Sequence, residues 1–468
     1  MRLTRRELLL GGTAAAALGA AGVYELVDRL TEAPTRHFGE GRAPEQHLLD
    51  GLRIADDNGV EIVVPTLHHE MVTATVGSRP GPEEQASLER VLQNLEDKHP
   101  GTPDGLAVTA AWGLPYFRRH VRRGAAERHL PVDRRASASG RTRRALLDTI
   151  RFPSDPDDVV LEENDVAFLL RSDNLDHIQD GAKAIFDAMD GVLEMTSIRK
   201  GFAGGGFDGG PGLPKQLATA AGVPGADLIP EGSELFLGFT STQRHALGPP
   251  RIVNFETLGL VDLGPGSYFQ GGTHMHLSHV FENLEAWYLN FDFTERVDTT
   301  FRPRLAVEPG TKTVPQPPEK AATPDDLASD FRRFGAVGHS SSMQSTSRLQ
   351  ADVMGADGTL YRKGTAVPQR ADFNTLDNPF FWSRDPKRDG MAEGPAAGLH
   401  FVVFNPSSDD FHRNRLAMDG VLPDGTKIGL EPRARGQGFN SVLRTTHRQN
   451  FLVPPRSHRS FPLVEVAA

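Results

Sequence analysis

The chain has 468 residues, long enough for two domains or one two-lobed unit with a substantial core. Its 51 Lys and Arg against 61 Asp and Glu leave a formal net charge of -10, which argues against a phosphate-tracking surface and so against a nucleic-acid partner. Cysteine is absent, which excludes disulfides, thiolate metal sites and Cys nucleophiles.

Residues 1–30 read as an export signal. Arg5 and Arg6 precede an uncharged run from Leu8 to Tyr24, and small residues around Gly19 to Gly22 offer a cleavage site. The paired arginines resemble a twin-arginine signal, which implies export of a folded protein to the periplasm, the exterior or the cell envelope. The run is too short and alanine-rich for a membrane span, so no stable span is expected after signal removal. An uncleaved anchor or an ordinary first helix is the other reading.

Downstream, 61–65 (EIVVP) predicts a strand, 81–98 a helix with Leu88, Val91, Leu92 and Leu95 on one face, and 106–111 a strand. The same order returns as a strand at 165–170, a helix at 175–189 with Ile178, Ala182 and Ile185 on one side, and a strand at 192–198. Two such units predict an α+β, ferredoxin-like domain with an antiparallel sheet. The second half echoes it with a strand within 268–280, a helix over 282–290 and a strand at 399–404, while 307–325 is a Pro-rich surface connection. The expected organisation is a signal at 1–30, an N-terminal ferredoxin-like domain at 45–230, and a C-terminal one at 231–468 that ends in an ordered arm.

The stretch RKGFAGGGFDGG at 199–210 holds the densest glycine run. Gly204, Gly206 and Gly209 satisfy G-x-G-x-x-G, a dinucleotide pattern only where the last glycine opens a helix. Pro211 and Pro214 follow at once, which argues against a helix start and a phosphate cradle. A flexible loop is one reading. The other is a distorted backbone that presents Asp208 inside a pocket, since the same run spells G-x-x-D-G over 205–209.

Further segments follow in order: Gly271-Gly-Thr-His274, Leu284-Glu-Ala-Trp287, Gly338-His339-Ser-Ser, Leu360-Tyr-Arg-Lys-Gly364, Gly398-Leu-His-Phe-Val-Val-Phe404 and Phe411-His-Arg-Asn-Arg-Leu416. With the glycine loop, they make residues 105–416 resemble the dye-decolorising (DyP-type) haem peroxidase superfamily. The resemblance implies two ferredoxin-like halves, with antiparallel sheets and helices packed outside, as in the dimeric α+β barrel superfamily. It implies haem b, with hydrogen peroxide as oxidant and an organic reductant such as a dye or phenol. It assigns His339 as the axial ligand of the haem iron, Arg362 as the distal arginine and Asp208 as the distal acid, with Gly206 and Phe207 beside the cofactor. Such chemistry needs an imidazole on iron, a carboxylate to move a proton between peroxide oxygens, and a guanidinium to stabilise charge as the O–O bond breaks.

The chain departs from the family pattern in three places. Gly-Phe-x-Asp-Gly is usual, and Gly201-Phe202 aligned that way puts Gly204 where the acid belongs, so either the loop is longer and Asp208 fills the role or the acid is lost. Lys363-Gly364 follows Arg362 where some relatives carry an amide. Ahead of Leu284 stand histidines in place of arginines. These give a rival reading, a haem-free scaffold acting as a binding protein or a histidine-based metalloenzyme. On a strand, His274 and His276 share one face while His279 points away, a two-histidine metal seed to which the His68-His69-Glu70 segment offers a third ligand. Satisfied structural histidines are the plainer reading. Trp112, Trp287 and Trp382 are read as electron relays or, more simply, as core. A homo-oligomer is left open.

Overall fold

The computed structural model describes residues 35–36, 43–133, 136–137, 142–205, 210–240, 266–315, 322–354, 360–377, 382–383, 385, 387 and 389–467. The signal-like segment and Gly206, Phe207 and Asp208 lie outside them.

The first half is built from β1 (His68–Val76), α1 (Pro82–Lys98), β2 (Ala107–Gly113), β3 (Val166–Ser172), α2 (Leu175–Ala188) and β4 (Leu193–Phe202). All pairings are antiparallel, in the order β4-β1-β3-β2 of a ferredoxin-like sheet. Helix α1 starts where Glu84 accepts the Gly81 N–H at 2.7 Å and Pro82 occupies the first turn, where its missing N–H costs nothing. It buries Leu88, Leu92 and Leu95, the face expected from the sequence, and α2 buries Ile178, Ala182 and Ile185 beside it. Both helices cover the outward residues of the sheet, Val72, Ala74, Val108, Ala110, Phe168 and Leu170.

One expectation is corrected. Val60–Val63 is a strand, but it pairs with Leu52–Asp57 in a hairpin outside the main sheet. Pro65 carries no N–H to continue a ladder, and the first main strand begins at His68.

The second half repeats the plan with β5 (Thr273–Glu282), α3 (Leu284–Asn290), α4 (His339–Ser347), β6 (Phe373–Asp377), β7 (Ala396–Asn405), α5 (Ser408–Met418) and β8 (Leu443–Val453). Here β7 pairs with β6 and β5, and β5 with β8. The halves join where Asn374 meets Phe202 and where Phe451 and Leu452 meet Gly113 and Trp112. These joins close an eight-stranded barrel. An eight-stranded barrel is just wide enough for side chains to fill, and Met71, Leu169, Met275, Leu277, Val402 and Phe451 form one interior cluster drawn from both halves.

Both chain ends reinforce the closure. Gln46 accepts the Ala110 N–H and donates to the Ala110 and Pro454 carbonyls, each at 2.8 Å, bridging β2 to the chain beyond β8. The C-terminal arm lies against α1, with Trp112 donating to the Arg459 carbonyl at 2.8 Å and Arg459 paired with Glu89 and Glu96. Among the described residues, no helix is long and apolar enough to cross a membrane.

Candidate functional site

The outward face of the second half does not pack flat against its helices. Between that face and α4 and α5 lies a cavity of about 230 Å³, close to the lower edge of the small-molecule size class. Strand alternation sends Ser278, Val280 and Glu282 of β5 and Leu399, Phe401 and Val403 of β7 into it. Helix α4 contributes His339 and Met343, α5 contributes Phe411 and Arg415, and Phe301 and Phe439 complete an apolar lining.

His339 is the first residue of α4, whose Ser-rich sequence has little helical drive of its own. Its position is fixed by backbone. A Cβ on Gly338 would stand 2.2 Å from the Phe301 carbonyl oxygen, so only glycine allows this approach, and Ser341 N–H then donates to that same oxygen at 2.9 Å. A Gly338→Ala protein should lose about 1–3 kcal/mol of stability, measured by denaturant unfolding, because the clash is with backbone and cannot be relieved by a rotamer. The His339 side chain is half-buried, 4.3 Å from the Phe439 ring, and its Nδ1 is shielded from solvent with no hydrogen-bond partner. Burial first, then the Arg370 and Arg415 charges, lower its pKa to about 3, so it stands neutral at physiological pH with a lone pair available.

Two carboxyls share the cavity wall. Burial, with a contribution from Asp372, pushes Glu282 up to about 8, and its Oε2 has no partner. Asp372 is raised by burial against the opposing charge of Arg370, whose Nε lies 4.0 Å away. Glu282 is therefore a neutral carboxylic acid at pH 7, able to donate a proton. Arg415 and Arg448 also line the wall, but Asp419 neutralises the first at 2.9 Å and Asp155 the second at 2.6 Å. Sequence reading missed Arg370, Asp372 and Glu282. Arg370 and Asp372 sit immediately before β6, and no local pattern marks them.

The structure does not bring Arg362 to this wall. Its side chain is 73% exposed and pairs with Asp352 at 2.8 Å on the far side of a short hairpin. The loop carrying Asp208 is described only at its edges. Gly204 and Gly205 have φ of +81° and +92°, and Gly205 bridges to Gly212, whose N–H reaches the Glu231 carbonyl. A helix does open after the glycines, Leu213–Ala221, with Pro214 in the first turn where it is tolerated, which corrects the expectation of no helix start.

The strand histidines divide as alternation predicts. His274 and His276 face outward beside the cavity, while His279 faces into the barrel and pairs with Asp377 at 3.2 Å. His274 Nε2 is bonded to Ser408 at 2.9 Å, and both ring nitrogens of His276 are engaged, by Asn450 at 2.7 Å and Ser278 at 2.6 Å. Among the described residues, no group of three or more His, Cys, Asp or Glu is arranged to hold a metal ion. Trp112, Trp287 and Trp382 are all buried.

Comparison with known proteins gives three findings. No curated protein matches the chain. Among solved structures, it is similar to a putative DyP-type peroxidase from Shewanella oneidensis (13% identity, covering 84% of this chain and 94% of that one, TM-score 0.49) and to a DyP-type peroxidase from Cellulomonas bogoriensis (15%, 88% and 96%, 0.48). It is also similar to a Rhodococcus jostii DypB variant solved in complex with heme (12%, 86% and 96%, 0.45). Residues 66–455 match the family of unknown function DUF7405, and the chain belongs to that family.

Proposed function

We propose that the cavity binds haem b, with His339 as the axial ligand of the iron, and that the protein is an exported peroxidase. The observation that carries this reading is the neutral imidazole of His339, whose shielded Nδ1 has no partner, on the wall of a cavity with aromatic and aliphatic sides. These residues fit the group: a neutral nitrogen donor for iron, aromatic and aliphatic walls for a flat macrocycle, and the Arg348 guanidinium for one of its carboxylates. Bound haem supplies oxidising power drawn from hydrogen peroxide and delivers it to an organic reductant in one-electron steps.

The protein's share is electrostatic and protonic. Arg370 takes the role first expected of Arg362, holding positive charge at the wall where negative charge develops on a leaving oxygen. Glu282, protonated at neutral pH, gives a proton to that oxygen and takes back the one released by the other peroxide oxygen. Asp208 remains a further candidate acid, because Gly212 at the loop's edge packs so closely on Ser233 that a Cβ there would stand 2.0 Å from its carbonyl oxygen, and Leu235 and Leu237 follow on the cavity wall. The twin-arginine-like start supports export.

Purified protein titrated with haem should develop a Soret band at roughly 400 nm, and should then oxidise a dye only when peroxide is present. Protein that stays colourless would overturn the reading and favour a haem-free binding scaffold.

A further inference from the structure

A second group of unpaired polar side chains lies at one end of the barrel, away from the cavity. Arg171 of β3 points inward and is fully buried, and burial lowers its pKa to about 9. No carboxylate among the described residues is within ion-pair distance. Asp173, the nearest acid in sequence, is already held by Arg53 and by the Leu67 N–H at 2.8 Å. Arg171 donates one hydrogen bond, from Nη2 to the His47 carbonyl at 2.5 Å, and its Nε–H has no acceptor. An unpaired buried charge is among the costliest arrangements in a fold, several kcal/mol even after relaxation.

The neighbours of Arg171 are imidazoles with unpartnered ring nitrogens. His69 of β1 is its cross-strand partner, and its ring stacks on Phe373 at 5.0 Å. The Thr66 hydroxyl lies 3.3 Å from Nε2, a contact in which either atom can donate, and Nδ1 is buried and has no partner. His47, from the segment that also carries Gln46, is buried with both ring nitrogens unpartnered, so its single N–H lacks an acceptor in either tautomer. Each imidazole is held neutral, by burial first and then by Arg171. Ala107 and Gly201 flank Arg171 and His69 in the same cross-strand row and contribute almost no side chain.

The Arg171 charge therefore lacks a counter-charge, its Nε–H and the His47 ring N–H lack an acceptor, and the His69 Nδ1 beside them has no partner. We propose that this end of the barrel binds a small monovalent inorganic anion of halide size, held by Arg171, His69 and His47. The anion supplies the missing counter-charge and ties the segment around His47 to β1 and β3. The site is independent of the cavity and of what the cavity binds.

Bromide is the probe. The full chain, dialysed into gluconate, is titrated with bromide at constant ionic strength, and crystals grown in bromide are measured for anomalous scattering. The expected result is a saturable rise in Tm and an anomalous peak between Arg171, His69 and His47. Arg171→Met should weaken the response about tenfold or more, the loss expected for a charged hydrogen-bond partner. An unchanged Tm in the parent protein, or an equal rise in Arg171→Met, overturns the proposal. Should Arg171→Met not fold, the anomalous map of the parent protein decides: a peak at these three residues supports the site, and its absence overturns it.

Discussion

A His339→Ala protein, loaded with haem under conditions that give the parent a Soret band, should show no such band, and imidazole added to the buffer should restore it. The restoration separates ligation from a structural role, because free imidazole can replace a missing metal ligand in the space left behind but cannot repair a misfolded cavity wall. Stability should change little in either direction. Truncation loses the contact with Phe439, yet it also removes a buried polar atom without a partner, Nδ1, whose burial costs about 1–3 kcal/mol. The two effects oppose each other. A Soret band that persists in His339→Ala would place the iron ligand elsewhere, and a lost band that imidazole fails to restore would make His339 a structural residue.

The sequence made the first half and the general plan of the second legible, and it failed where the barrel closes. Periodicity found α1 and α2 because their buried faces repeat every three or four residues, and it found β7 because Phe401 to Phe404 is nearly all apolar. It missed β6 and β8. The segment FNTLD and the first part of LRTTHRQNFLV carry polar residues because that end of the barrel interior is itself polar. There His400, His279 and His447 lie in register across three strands, and Asp377 reaches His279. Gly398 makes that reach possible, since a Cβ there would stand 2.8 Å from His279 Nε2. A strand whose inward residues are histidine and aspartate has no apolar alternation to detect.

The site was half legible for the same reason. Gly338-His339 stood out by its place in the motif order, and the structure adds a local cause for each, a close backbone approach for the glycine and an unpartnered, shielded Nδ1 for the histidine. Arg362 stood out by sequence order alone, yet it lies on a solvated hairpin, while Arg370, eight residues later, is the arginine that pairing with β7 carries to the cavity. Which of two nearby arginines faces a cavity is decided by strand register, a long-range property that spacing along the chain does not encode.

The Glu282→Gln protein should be more stable than the parent at alkaline pH, and the difference should depend on pH in one direction. Below about pH 4.5 Glu282 is protonated in both folded and unfolded chains, so its ionisation contributes nothing. As pH rises, the unfolded chain's carboxyl releases its proton near the ordinary value, whereas the folded one keeps its proton to about 8. Across that window the unfolded state gains free energy that the folded state does not, and stability falls; above it the penalty is constant. A rise of this size in a buried group corresponds to a penalty on the order of 5 kcal/mol at most. Glutamine keeps the shape and cannot ionise, so the stability gap between variant and parent should open between pH 4.5 and 8 and then level off. Denaturant unfolding at a series of pH values measures it. A gap that is constant with pH would mean that Glu282 ionises normally and cannot serve as a proton donor at neutral pH. If the gap opens as expected, loss of dye oxidation in the same variant at pH 7 would tie the stored proton to the reaction.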